Sequence, residues 1–138
     1  MARQAALPAE TVLIVEDNDL NLKLARDLLQ ADGFHTLEAQ GGAEGVTLAR
    51  DHHPDVVIMD IQLPDIDGWE ALRRLRQDPA TEDLVVVAVT AYATTGAPAR
   101  FLDGGFDGYL SKPIDVRTFS AAIRGFCRPH MGDTAPEV

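Results

Sequence analysis

The sequence predicts an α/β protein: a doubly wound (βα)5 unit with one parallel five-stranded sheet and helices on both faces. Three observations carry this. TVLIVE (Thr11–Glu16), VVIM (Val56–Met59) and LVVVAV (Leu84–Val89) are apolar runs without polar alternation, the pattern of strands covered on both faces. Segments of helical period lie between them. Strand–helix alternation of this kind calls for right-handed crossovers.

After the first strand, Leu20, Leu24 and Leu28 recur every fourth residue, with Ala25 and Leu29 on nearly the same face, and define the first helix. HTLE (His35–Glu38) is a weaker second strand. Val46 and Ala49 mark the second helix, approached through Gly41 and Gly42. GGAEG (Gly41–Gly45) lacks the G-x-G-x-x-G pattern and follows a weak strand, so it reads as the start of a helix rather than a phosphate loop. The third strand runs straight into Asp60, and a Pro/Asp/Gly turn follows it. Trp69, Leu72 and Leu75 mark the third helix, with Trp69 as core or helix surface.

Beyond the fourth strand, TTGAPARFLDGG makes a poor helix. Pro98 lacks an amide proton and is comfortable only in a first turn, so the fourth helix is expected to begin near Ala97 or Pro98. The preceding loop, Tyr92 to Gly96, is expected to be long and mobile. FDGYL (Phe106–Leu110) supplies a weak fifth strand. Val116, Phe119, Ile123 and Phe126 give the last helix, with Asp115 as its N-cap or first-turn acid and Cys127 as a small apolar filler. Residues 1–10 and 129–138 read as loose ends around one domain, 11–128.

Composition narrows the function. A formal charge of −10, from 12 basic and 22 acidic residues, argues against a sequence-independent grip on nucleic acid. No apolar run approaches the roughly 20 residues of a membrane span, and MARQAALPAE lacks the apolar stretch of a signal peptide. One cysteine rules out an internal disulfide framework and fits a reducing, cytoplasmic compartment. His35, His52, His53 and His130 lack metal-ligand spacing and are expected to face solvent.

In a doubly wound sheet, ligands bind beyond the carboxyl ends of the strands. Glu16 and Asp17 follow the first strand, Asp60 the third, Thr90 ends the fourth, and Ser111–Lys112–Pro113 follow the fifth. Three crowded carboxylates need a cation, and hard oxygen donors select Mg²⁺. With Lys112 as a second positive charge and Thr90 as a hydroxyl donor, the set describes a carboxylate that accepts a phosphoryl group. A flavodoxin-like nucleotide carrier would need a phosphate-cradling loop where VEDND places acids. A haloacid dehalogenase-type phosphatase would need a second acid at the position of Gln62.

LIVEDNDLNLKLARDLLQADGF, MDIQLPDIDG, VVAVTAYA and SKPI resemble the receiver domain of two-component response regulators, most closely its single-domain regulators of the cell cycle. The spacings agree: 30 residues from Asp60 to Thr90 and 22 from Thr90 to Lys112. The resemblance implies a CheY-like sheet of order 2-1-3-4-5, with Asp60 as phosphoacceptor. It implies Mg²⁺ held by Glu16, Asp17, Asp60 and the backbone carbonyl of Gln62. It further implies Thr90 as the switch hydroxyl, Tyr109 as the switch aromatic, Lys112 as the phosphate-binding lysine, and a cis Lys112–Pro113 bond. Gln62 and Tyr92 would flank the approach of a hydrolytic water and tune the lifetime of the phosphoryl group. The implied partners are a sensor histidine kinase or histidine phosphotransfer protein and a downstream target. The target would contact the face of the fourth helix, fifth strand and fifth helix, or the first helix, of a monomer or weak dimer. No DNA-binding or cyclase output domain is expected, and the chain is a signalling protein rather than an enzyme. Onward transfer of the phosphoryl group to a histidine protein is the alternative role.

Overall fold

The three apolar runs fold as interior strands of a parallel sheet because each is buried between two helical layers. The computed structural model describes residues 10–91 and 97–127. Strands β1 (Thr11–Val15), β2 (His35–Ala39), β3 (Val56–Asp60), β4 (Val85–Thr90) and β5 (Gly108–Ser111) form one sheet in the order β2-β1-β3-β4-β5. Every strand pair is parallel. All residues of the interior strands β3 and β4 are buried, whereas the edge strands β2 and β5 show mixed burial. That contrast explains why HTLE and FDGYL are the weaker signals in the sequence.

Successive strand residues point to opposite faces, so the sheet divides the core in two. Val12, Ile14, Val56, Ile58, Val87 and Val89 pack with helices α1 (Asp19–Ala31) and α5 (Phe119–Phe126). Leu13, Val15, Val57, Met59, Val86 and Ala88 pack against α2 (Gly42–His52), α3 (Gly68–Gln77) and α4 (Ala97–Asp103).

The elements depart from the expected pattern in three places: α1, α5 and β5. In α1 the buried residues are Leu22, Ala25 and Leu29, while Leu20 is 76% exposed. A strict period of four drifts off a helix of 3.6 residues per turn, and Leu20 falls off the core face. Helix α5 begins at Phe119, not at Asp115, with Thr118 at the N-cap. Asp115 instead organises the turn before it: Oδ1 accepts from Arg117 N at 2.9 Å and the carbonyl accepts from Phe119 N at 2.9 Å. Val116 is accordingly exposed rather than on the apolar face, and Cys127 is the C-cap just past the helix. Phe106 and Asp107 precede β5 rather than joining it.

Helix α4 starts at Ala97, as the position of Pro98 predicts. The expectation for the loop 92–96, including the role of Tyr92, lies outside the described residues. His35, His52 and His53 are exposed, and His130 also lies outside the described residues.

One arginine draws the two ends of the fold together. Arg124 of α5 sits 4.2 Å over the Phe34 ring, donates to the Asp32 carbonyl at 2.8 Å, and pairs with Glu10 Oε1 at 3.0 Å. Among the described residues no helix is long and apolar enough to cross a membrane.

Candidate functional site

Parallel register puts the carboxyl ends of the central strands side by side. Val15 is level with Met59, Asp60 with Val89, and Thr90 with Ser111. The residues at or just beyond those ends therefore share one rim: Glu16, Asp17, Asp60, Thr90 and Lys112. Glu16, Asp60 and Thr90 are buried, Asp17 is exposed, and Gln62 lies exposed beside them.

One carboxylate oxygen from each of Glu16, Asp17 and Asp60 lies within 4.8 Å of the other two. Lys112 bridges the two buried acids, with Nζ 2.9 Å from Asp60 Oδ2 and 3.2 Å from Glu16 Oε1. Asp60 Oδ1 accepts from the amide of Gln62 at 3.0 Å, and Glu16 Oε2 accepts from the amide of Asn18 at 3.1 Å. One ammonium thus faces three carboxylates. The imbalance, together with an all-oxygen donor set, fits a hard divalent cation of the Mg²⁺ kind.

The site's electrostatics follow from its burial. Burial pushes the Glu16 carboxyl above its ordinary range and the neighbouring Asp60 charge adds to this, while the Asn18 amide and Lys112 pull the other way. Burial likewise opposes the charge on Lys112, but its bonds to Asp60 and Glu16 outweigh that and hold the ammonium above the usual lysine range.

Local structure holds these groups still. Asn18 caps α1 through a bond from Asn21 N at 3.0 Å, and Asp67 caps α3 through one from Glu70 N at 2.8 Å. A Cβ on Gly68 would lie 2.7 Å from the Asp60 carbonyl, so only glycine lets α3 start this close under the site. Lys112 N donates to the Thr90 carbonyl at 2.9 Å, and the Lys112–Pro113 bond is cis.

Tyr109 lies apart from the acids, half-buried on the opposite side of β5 from Leu110. It stacks on Phe101 of α4 at 6.3 Å between ring centroids, and Phe101 stacks in turn on Trp69 of α3 at 5.4 Å. This aromatic row was not legible as a unit, because its members come from three elements with no shared spacing. Asp65 was also missed: its partners, the amides of Gly42 and Ala43, lie more than 20 residues earlier.

A model of the response regulator receiver domain matches residues 12–124. The chain belongs to the response regulator receiver family. As a receiver domain it is 45% identical over 117 residues to the polar-differentiation response regulator DivK of Brucella ovis, an alignment covering 85% of this chain and 95% of DivK. Solved receiver domains share its architecture. One is the receiver domain of the sensor histidine kinase PA1611 of Pseudomonas aeruginosa, solved with a magnesium ion coordinated in its active site cleft. It superposes with a TM-score of 0.78 at 27% identity, covering 86% of this chain and 98% of that one. A CheY-like receiver protein of Methanospirillum hungatei gives a TM-score of 0.74 at 26% identity, covering 86% and 93%. Receivers of this family are signalling phosphoacceptors rather than conventional enzymes.

Proposed function

We propose that this receiver, residues 11–128, is a Mg²⁺-dependent phosphoacceptor switch in a two-component phosphorelay, with Asp60 as the acceptor. The observation that carries the reading is the Asp60 carboxylate itself. It is 4% exposed, held by Lys112 and the Gln62 amide, and clustered with Glu16 and Asp17. Glu16, Asp17, Asp60 and the Gln62 carbonyl would hold Mg²⁺, which neutralises charge on the transferring group when bound.

Asp60 attacks the phosphorus of a phosphohistidine on a sensor kinase or histidine phosphotransfer protein. The new P–O bond forms as the P–N bond breaks, and the electron pair returns to the imidazole. Lys112, already paired with Asp60, is within reach to neutralise an added phosphoryl oxygen. Thr90 is drawn inward to a second oxygen, and Tyr109 turns into the space it leaves. The face of α4, β5 and α5 then changes shape for a downstream protein, a local charge change biasing a two-state element. Gln62 and Tyr92 tune the lifetime of the acyl phosphate. The likeness to DivK supports a cytoplasmic role in regulating the cell cycle.

The test is phosphorylation by acetyl phosphate or a histidine kinase with labelled phosphate. Wild type should take up label in Mg²⁺ and take up none in EDTA, and Asp60→Asn should take up none in either while keeping its fold. Label persisting on Asp60→Asn would move the acceptor elsewhere.

A further inference from the structure

The glycine pair at 41–42 and the loop between β3 and α3 meet in a contact that the phosphoacceptor reading leaves unused. Asp65, in that loop, reaches across to the start of α2. Its Oδ1 accepts from Gly42 N at 2.8 Å and its Oδ2 from Ala43 N at 3.0 Å. These are two of the four amides a helix leaves without an internal partner, and the helix's positive end favours a carboxylate. The bonds hold the Asp65 carboxyl down at about 2.

Two glycines line the other side of the contact. A Cβ on Gly41 would lie 3.2 Å from both Asp65 oxygens, and one on Gly42 would lie 2.5 Å from Ile66 Cγ1 and 3.1 Å from the Ile66 carbonyl. The end of α2 therefore seats directly on the loop backbone, which a side chain at 42 would prevent. The same loop is anchored to the site at its start. Ile61 N donates to the Val89 carbonyl at 3.2 Å and Gln62 N to Asp60 Oδ1 at 3.0 Å. Asp65 is thus the polar tie between this site-bearing loop and a separate rigid element.

We propose that Asp65 is a positioning residue: by docking the loop 61–67 onto α2 it fixes the main chain of Gln62 and so sets Mg²⁺ affinity without touching the ion. This rests on the reading of Glu16, Asp17, Asp60 and Gln62 as the Mg²⁺ site. Groups that orient a metal's ligands from outside typically contribute 10–100-fold in affinity. Asp65→Ala should therefore weaken Mg²⁺ binding roughly tenfold. Asp65→Asn keeps one acceptor and should fall between Asp65→Ala and wild type.

The matched control is Glu44→Ala. It removes a bond from Gln40 N at the same end of α2, 3.2 Å long, without touching the loop. Its Mg²⁺ affinity should equal wild type, whatever its melting temperature. The experiment is calorimetric titration of the full chain with MgCl₂, alongside amide exchange at Gln62 in metal-free protein, which should quicken in the Asp65 variants. Wild type that fails to bind Mg²⁺ overturns the metal reading and this inference with it. Wild-type binding with unchanged affinity in Asp65→Ala overturns the role of Asp65 alone. Equal weakening by Glu44→Ala overturns it too, since the effect is then a general loss at the helix end. Should Asp65→Ala fail to fold, the comparison of Asp65→Asn with wild type decides.

Discussion

Glu16 bears the electrostatic cost of the site. Its carboxyl is raised from 4.5 by burial and by Asp60. A raised value in the folded state means that the stability contributed by this group is fully present below about 4.5 and lost as pH rises through the folded value. The charge on Glu16 therefore works against the metal-free fold as pH rises. Glu16→Gln should melt higher than wild type at pH 7 in EDTA, and the gain should vanish below about pH 4. Thermal melts at the two pH values test this. A lower melting point for the variant at pH 7 would mean that the pairing with Lys112 outweighs burial. Lys112 carries the matching sign: raised from 10.5, its pairing supports the fold below that value and lapses as pH rises beyond it. At this scale the sequence was readable where a polar residue closes an apolar run, as at Glu16, Asp60 and Thr90, which the parallel register brings to one rim. It was not readable at Asp65, where an ordinary turn acid acquires its partner only when two loops meet.

Among the elements, α4 is the shortest helix and leans on aromatic contacts. Trp69 stacks on Phe101 at 11° between planes and meets Phe106 edge-on at 5.0 Å. A Cβ on Gly104 would run into the Trp69 ring, so the turn after α4 closes directly over the indole. Trp69→Ala removes this support and should cost about 2–3 kcal/mol, somewhat under the range for a fully buried aromatic because Trp69 is half-buried. Urea denaturation measures the loss. Amide exchange across 97–103 should quicken more than exchange in α1, and uniform quickening would argue that Trp69 supports the fold as a whole. The start of α4 was legible because proline restricts where a helix can begin. The start of α5 was not: Val116 continues the apolar period, but the turn around Asp115 breaks the helix ahead of Phe119, and periodicity is blind to such a turn.

For the molecule as a whole, the alternation of buried strands and amphipathic helices made the layered α/β architecture legible. The order of strands in the sheet was not in that alternation; it came from resemblance to a family. Two edge strands of four or five residues and two fully buried central ones account for the unequal strength of the strand signals. The bond between Arg124 and Glu10 spans 114 residues of sequence yet closes at 3.0 Å. The approach to β1 and the end of α5 are thus neighbours, and the order in which the chain visits the elements is separable from the architecture. A circular permutant joining Glu10 to Cys127 through about six glycine and serine residues, and opened at the exposed end of α2 between His52 and His53, should fold. The new break precedes β3, at the end of the sheet away from Asp60. Circular dichroism melts and MgCl₂ titration of the permutant should therefore show a cooperative transition and an intact metal response. An unfolded permutant would mean that β1 and β2 must precede β3 along the chain, with the connection from α2 to β3 intact.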